Sequence, residues 1–329
     1  MKKYLPHILV LFMSFSMNAQ DVHFSNLQLN NFYTDITSTG SSTAKYRGGM
    51  YYRNQWPTVG SSYQTMGLYT DYRLKLDDNA LGFGLILNRD KAGIVSLSKL
   101  RAEAIVAYHQ QVTRLSRLSV GLQFGVTQHS IDGSGAEWKN QYDGEGFNGD
   151  LPTGEAEYFQ PFMNYGAGAG LGWNYDNRAN NRFSHVFTTV KLGISLYHIA
   201  ASPLDYYNNN PEYGRVAFTG SSTYVLKEGS YEIEPAFCYQ IKGNEKQFVF
   251  GGMYKIILRE ESRYTGYYDR MDMSFGAYYR LPNDAVIPSF NMNIDQFQFG
   301  VSYDANVSNY YKASNTIGAF EFSLRFLMR

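Results

Sequence analysis

The sequence predicts an all-β protein, a transmembrane antiparallel β-barrel of about fourteen strands in the outer membrane of a Gram-negative bacterium. Three observations carry this. The 329-residue chain opens with the zones of a secretory signal, and it is rich in tyrosine, phenylalanine and glycine (29, 22 and 31 residues). Short segments of period-two alternation fill the remainder, as in barrels with aromatic girdles and small lumen-facing residues.

The signal comes first in the chain. Lys2 and Lys3 precede an apolar run from Ile8 to Phe15, and Ser16 to Gln20 follow, which places cleavage after Ala19. That run is shorter than the ~20 apolar residues a membrane helix needs. The absence of a cysteine near the site excludes a lipoprotein signal, and the single cysteine, Cys238, excludes an intramolecular disulfide framework. The reading is therefore a signal peptide over 1–19, a short polar periplasmic segment over 20–44 and a barrel over 45–329. Zero net charge gives no reason to expect nucleic acid as a partner.

Strands follow from the alternation. In 117–128, Leu118, Val120, Leu122, Phe124 and Val126 face lipid while Ser119, Gly121, Gln123, Gly125 and Thr127 face inward. Residues 80–89 repeat the pattern, with Leu81, Phe83, Leu85 and Leu87 against Gly82, Gly84, Ile86 and Asn88. Residues 165–175 set Leu171, Trp173 and Tyr175 against a glycine row (Gly166, Gly168, Gly170, Gly172) that leaves room in the lumen. The other strands fall at 45–54, 62–75, 98–110, 184–198, 215–226, 230–241, 246–258, 270–281, 285–293, 296–305 and 315–327. The count is even, as single-chain bacterial barrels require. Tight polar turns at Asp77-Asp78-Asn79, Asp176 to Asn181 and Lys227-Glu228-Gly229 alternate with long connections at 130–160 and 199–214, so both termini are read as periplasmic. The long 259–269 connection departs from this scheme. The last strand carries Phe320, Phe322, Leu324 and Phe326 on one face close to the chain end.

Six segments resemble the PorP/SprF family of outer-membrane proteins, which accompany the type IX secretion system and gliding apparatus of Bacteroidetes. They are Gln20 to Ser25, Tyr52 to Pro57 (YRNQWP), Gly84 to Gly93 (GLILNRDKAG), Gln123 to Ile131, Trp138 to Asp143 (WKNQYD) and Gly300 to Asp304. Where the family carries an Asn-Pro-Ala segment, this chain reads Thr34 to Gly40 without the proline. The resemblance implies a non-enzymatic partner for export or surface tethering of large adhesins with a C-terminal sorting domain, working with secretion-system components, in contact with outer-membrane lipid and without a cofactor.

Alternation also places charges of both signs inward: Arg53, Asp71, Arg73, Arg101, Glu103, Lys191, Glu232, Glu234, Asp272, Arg280, Asp304, Glu321 and Arg325. Charges are tolerated in a wet or internally paired lumen and costly against lipid, which leaves a paired network and a mixed-lined channel as alternatives. Arg53, Asn54, Gln55, Trp56 and Pro57 fall at the outer end of the first strand, and Asn88, Asp90 and Lys91 at the outer end of the third. With Trp138, Gln141, Tyr142 and Asp143 they form the candidate partner-binding set, Arg53 and Trp56 being residue types favoured as anchors; bracing of loops over the barrel mouth is the competing role. No catalytic residue is assigned, because the histidines lie on separate strands without a nucleophile elbow. The acidic loop from Asp143 to Asp150 reads as solvated rather than Ca²⁺-binding, since Phe147 stands where an oxygen donor is wanted. A porin is the alternative function, with an outer-membrane lipid hydrolase more distant.

Overall fold

The computed structural model describes residues 23–58, 62–93, 96–133, 137–154, 160–179, 187–199, 213–226, 230–259, 270–282, 285–307 and 316–328. Its strands are β1 (Tyr46–Gln55), β2 (Tyr63–Leu76), β3 (Asn79–Ala92), β4 (Leu97–Gln111), β5 (Ser116–Ser130), β6 (Phe162–Asp176) and β7 (Thr188–Tyr197). The second half comprises β8 (Arg215–Leu226), β9 (Tyr231–Lys242), β10 (Glu245–Arg259), β11 (Met271–Leu281), β12 (Ala285–Ile294), β13 (Phe297–Asn306) and β14 (Ile317–Met328). Each strand pairs antiparallel with its sequence neighbours, and β1 pairs with β14 to close the barrel. Closure leaves no edge with unpaired backbone groups, the condition for a sheet to stand in hydrocarbon.

The alternation sorts the two faces. On β5, Leu118, Val120, Leu122 and Phe124 are outward and exposed, Leu122 at 64 %, while Ser119, Gln123 and Thr127 are buried inside. On β3, Phe83, Leu85 and Leu87 face out and Ile86 and Asn88 face in. The predicted strand ends lie within four residues of those observed.

One end, here the lower rim, holds Tyr46, Met328 and the tight turns at Asp77-Asp78 and Asp295-Gln296; Asp77 and Asp295 take the positive φ that such turns demand. At the opposite, upper rim lie the strand ends that the long 131–161 and 198–214 connections join, on the side the alternation of short and long links predicts. The expected turn at Lys227 to Gly229, the far part of the Asp176 to Asn181 turn, and nearly all of 259–269 lie outside the described residues.

The core sits inside the barrel. Residues 23–40, with two single-turn 3-10 helices at Asn31–Tyr33 and Ile36–Ser38, run down the lumen as a plug before residues 41–45 lead to β1 at the lower rim. Phe24, Phe32, Tyr33 and Ile36 bury against Tyr51, Tyr69, Ile86, Ile105 and Tyr197 of the wall. Phe24 stacks on Tyr33 at 4.4 Å and meets Tyr51 edge-on at 4.7 Å. The segment read as periplasmic from its polar composition is therefore packed within the lumen.

The inward glycines are the sockets for this plug. A Cβ on Gly172 would lie 2.3 Å from the Thr37 hydroxyl, and one on Gly82 would lie 2.4 Å from the Thr39 carbonyl oxygen. Gly40 meets Gly82 backbone to backbone at φ +67°, a pairing open only to glycine on both sides. The space that the glycine row leaves in the wall is thus filled by the chain's own N-terminal segment.

Candidate functional site

The plug's own hydrogen-bonding groups dictate the wall it needs. Local turns satisfy part of the plug's amides internally, the Asn30 N–H on the Asn26 carbonyl and the Ser38 N–H on the Asp35 carbonyl among them, and charged side chains of the wall take up others. Glu321 accepts from the Ser25 N–H at 2.8 Å, the Asn26 N–H at 3.0 Å and the Asn30 amide at 2.8 Å. Asp71 accepts from the Gly40 N–H, and Arg73 donates to the Gly40 carbonyl. Arg325 donates to the carbonyls of Gln28 and Leu29 and to the Tyr69 hydroxyl. Arg215 reaches the Tyr33 carbonyl at 3.0 Å.

The tightest knot lies in the upper lumen. Arg53 pairs with Asp304 at 2.7 Å and with Glu321 at 3.2 Å, Arg280 joins the same Asp304 oxygen at 2.6 Å, and the Ser25 hydroxyl sits among them. Arg53 is 2 % exposed. Three of the segments that carry the family resemblance, those containing Ser25, Arg53 and Asp304, meet at this point. Arg53, placed by the sequence among the partner anchors as well as in the lumen, thus faces only the lumen and its plug.

Other predicted lumen charges pair locally. Asp71 accepts two N–H groups from Arg47, both at 2.8 Å, and Lys255 bridges Glu232 and Glu234. Arg270 joins Glu232 at 3.6 Å and Asp272 at 2.9 Å; Arg101 and Glu103 approach only to 3.9 Å. Sequence reasoning missed Arg47, Arg117, Arg215 and Lys255 as lumen residues. The strand parity that selected Arg53 on β1 selects Arg47 as well.

His109 is 0 % exposed, on β4 directly across from Ser119 on β5. Its Nε2 lies 2.8 Å from the Thr39 carbonyl and its Nδ1 2.7 Å from the Ser119 hydroxyl. A carbonyl only accepts, so the proton sits on Nε2 and Ser119 donates to Nδ1. Both ring nitrogens are thus engaged, Nε2 on the plug and Nδ1 on the neighbouring strand.

At the upper rim the remaining predicted residues divide. Asn88 is buried in the lumen, Gln55 and Trp56 are half-buried, and Pro57 and Lys91 are exposed. Asn54 lies on the outer face. The Thr65 hydroxyl donates to Asp90 at 2.6 Å. Trp56 meets Tyr63 edge-on, and its backbone N–H donates to the Gly318 carbonyl at 2.7 Å. Residues 137–154 fold on themselves: Gln141, buried, donates to the Leu151 carbonyl and accepts from the Trp138 N–H, and Tyr142 bridges to Phe147. Asp143 accepts from the Glu145 and Gly146 N–H groups, both at 3.0 Å, and these bonds hold its carboxyl below the usual carboxylate range. Both bonds end on the same carboxylate oxygen, Oδ1. Tyr142 and Phe147 are left 62 % and 51 % exposed at the tip.

The model of the type IX secretion system membrane protein PorP/SprF matches residues 16–326. The chain belongs to the PorP/SprF family. It is an outer-membrane β-barrel of the type IX secretion machinery, and family and fold together speak for a non-enzymatic role beside other secretion-system components. No curated protein matches the chain. Among solved structures, a mutant of the TodX monoaromatic hydrocarbon channel is 9 % identical with a TM-score of 0.49, over 92 % of this chain and 93 % of that one. The CymD monoaromatic hydrocarbon channel is 8 % identical with a TM-score of 0.48, over 94 % and 95 %. BamA from Haemophilus ducreyi, lacking three of its POTRA domains, is 10 % identical with a TM-score of 0.43, over 87 % and 70 %. The barrel assignment for this PorP/SprF chain rests on its own strand pairing.

Proposed function

We propose that this PorP/SprF barrel exports large adhesins or tethers them at the cell surface, with its upper rim outside and its termini side in the periplasm. The observation that supports this best is the plug. A lumen filled by a segment bonded to many strands suits a scaffold better than a passive pore, and moves the working surface to the rims. At the upper rim the internally bonded 137–154 loop leaves Tyr142 and Phe147 exposed, preordered aromatic side chains of the kind that anchor partners. Trp56, Pro57, Lys91 and Asp143 are the other rim residues positioned to join such a contact.

The test is a clean deletion in a strain without a paralogous barrel, followed by measurement of surface adhesin and co-purification of the tagged barrel from native membranes. Adhesin lost from the surface and recovered with the wild-type barrel is the expected result; normal surface adhesin in the deletion overturns it. The porin reading keeps one observation, a polar cavity of about 440 Å³ between plug and lower rim. Steady conductance of the wild-type protein in a planar bilayer would favour it.

A further inference from the structure

Pairing off the charges that border the lower-lumen cavity leaves two cations without an ion pair. Seven cationic side chains and three carboxylates border the cavity of about 440 Å³. Every one of those carboxylates is engaged: Asp176 by Arg178, Glu232 by Lys255 and Arg270, Glu234 by Lys255 and the Gln28 amide. Arg47 is held by Asp71, and Arg325 by the Tyr69 hydroxyl and plug carbonyls. Among the described residues, Arg117 and Lys191 alone of the seven have neither an ion pair nor a set of plug carbonyls.

These two are neighbours across one strand. The register runs Arg117, Asn174, Lys191 over β5, β6 and β7, and all three side chains line both this cavity and a smaller one of about 70 Å³ above it. With strands ~4.8 Å apart, the guanidinium and ammonium groups flank the Asn174 amide. Arg117 gives one N–H to Gln111 at 2.9 Å, but its Nε is buried without a partner, and so is the Asn174 Oδ1. Amide oxygen and nitrogen exchange by a simple flip, which turns a donor to the same point. The plug carboxylate that shares the smaller cavity, Asp35, is capped by the Thr37 N–H and hydroxyl and attracts Lys191 from beyond ion-pair distance, which leaves Arg117 as the cation of the two with no carboxylate facing it among the described residues.

We propose that Arg117, Asn174 and Lys191 form a binding site for a small oxyanion, a phosphate or carboxylate group reaching the lumen from the lower rim. A guanidinium fork and an ammonium converging on unfilled polar space match the geometry and charge of such a group. The site is independent of the adhesin reading, since it lies at the opposite end from Tyr142 and Phe147.

Titration calorimetry on the full-length barrel in detergent tests it, at low ionic strength, with inorganic phosphate and with citrate as separate probes. Saturable binding of at least one is expected, and which one binds separates phosphate from carboxylate recognition. Arg117→Gln with Lys191→Gln should weaken binding roughly tenfold or more, while Lys139→Gln in the upper loop, which removes a positive charge away from the site, should leave binding unchanged. Heat-modifiable mobility verifies folding of each variant; should the double variant not fold, the single variants and Lys191→Arg, which keeps the charge and should keep binding, decide. The proposal is overturned if wild type binds neither anion saturably, or if the folded variants bind as wild type does.

Discussion

Arg53 on β1 and Asp304 on β13 meet at 2.7 Å across β14, both side chains 2 % exposed, with the Ser25 hydroxyl of the plug between them. Their pairing locks a segment of irregular chain to the two strands that flank β14.

Arg53→Ala should therefore cost about 3 to 5 kcal/mol, because it leaves Asp304 with Arg280 alone and Glu321 buried without its cation. Trp56→Ala, at the half-buried rim, should cost far less. Heat-modifiable mobility on gels reads the difference, and equal stability of the two variants would remove the locking role.

Leu122→Arg places a charge at mid-strand on the lipid face and should lower stability by about 2 to 4 kcal/mol. Leu122→Phe keeps the face apolar and should accumulate normally in the outer membrane. If both accumulate alike, the outward assignment of β5 is wrong.

Gly82→Ala drives a methyl into the Thr39 carbonyl and the Gly40 backbone. Overpacking of this kind costs about 1 to 3 kcal/mol, here spent on lifting the plug, since the strand's outer face is untouched. The expected signature is intermittent conductance in planar bilayers, with less or none from wild type under the same conditions. A silent variant with wild-type stability would mean that the plug yields without leaving its socket.

Glu145→Cys sits at the exposed tip of the 137–154 loop, and the native Cys238 is buried at 2 % exposure and gives no background. A membrane-impermeant maleimide should label the variant on intact cells. Labelling that requires a broken outer membrane would invert the proposed orientation.

Tyr142→Ala with Phe147→Ala removes the two exposed aromatics and leaves the Gln141 and Asp143 bonds that shape the loop. The barrel should assemble at wild-type levels while adhesin passes into the medium. Retention of surface adhesin by this variant would shift the contact elsewhere on the rim.

The barrel was legible because a strand in a membrane repeats one simple rule: Leu118 to Val126 against Ser119 to Thr127 states both the pitch and the two solvents. The same parity foretold Asp304, Glu321 and Arg325 as lumen residues. The plug was not legible, because its order comes from wall side chains far away in sequence, and Asn26, Asn30 and Thr37 read as solvated polar chain until those partners are known. Phe24, Phe32, Tyr33 and Ile36 were the available signal, an apolar set too large for a segment left in water. Cross-strand meetings such as His109 with Ser119 depend on register, which alternation alone leaves open.

The placement of Glu321 also sets an order of events. The strand synthesised last carries the acceptor for Ser25, Asn26 and Asn30, groups made almost first. These groups find their acceptor only when β14 is in place, so a barrel short of its closing strand leaves the N-terminal segment untied there.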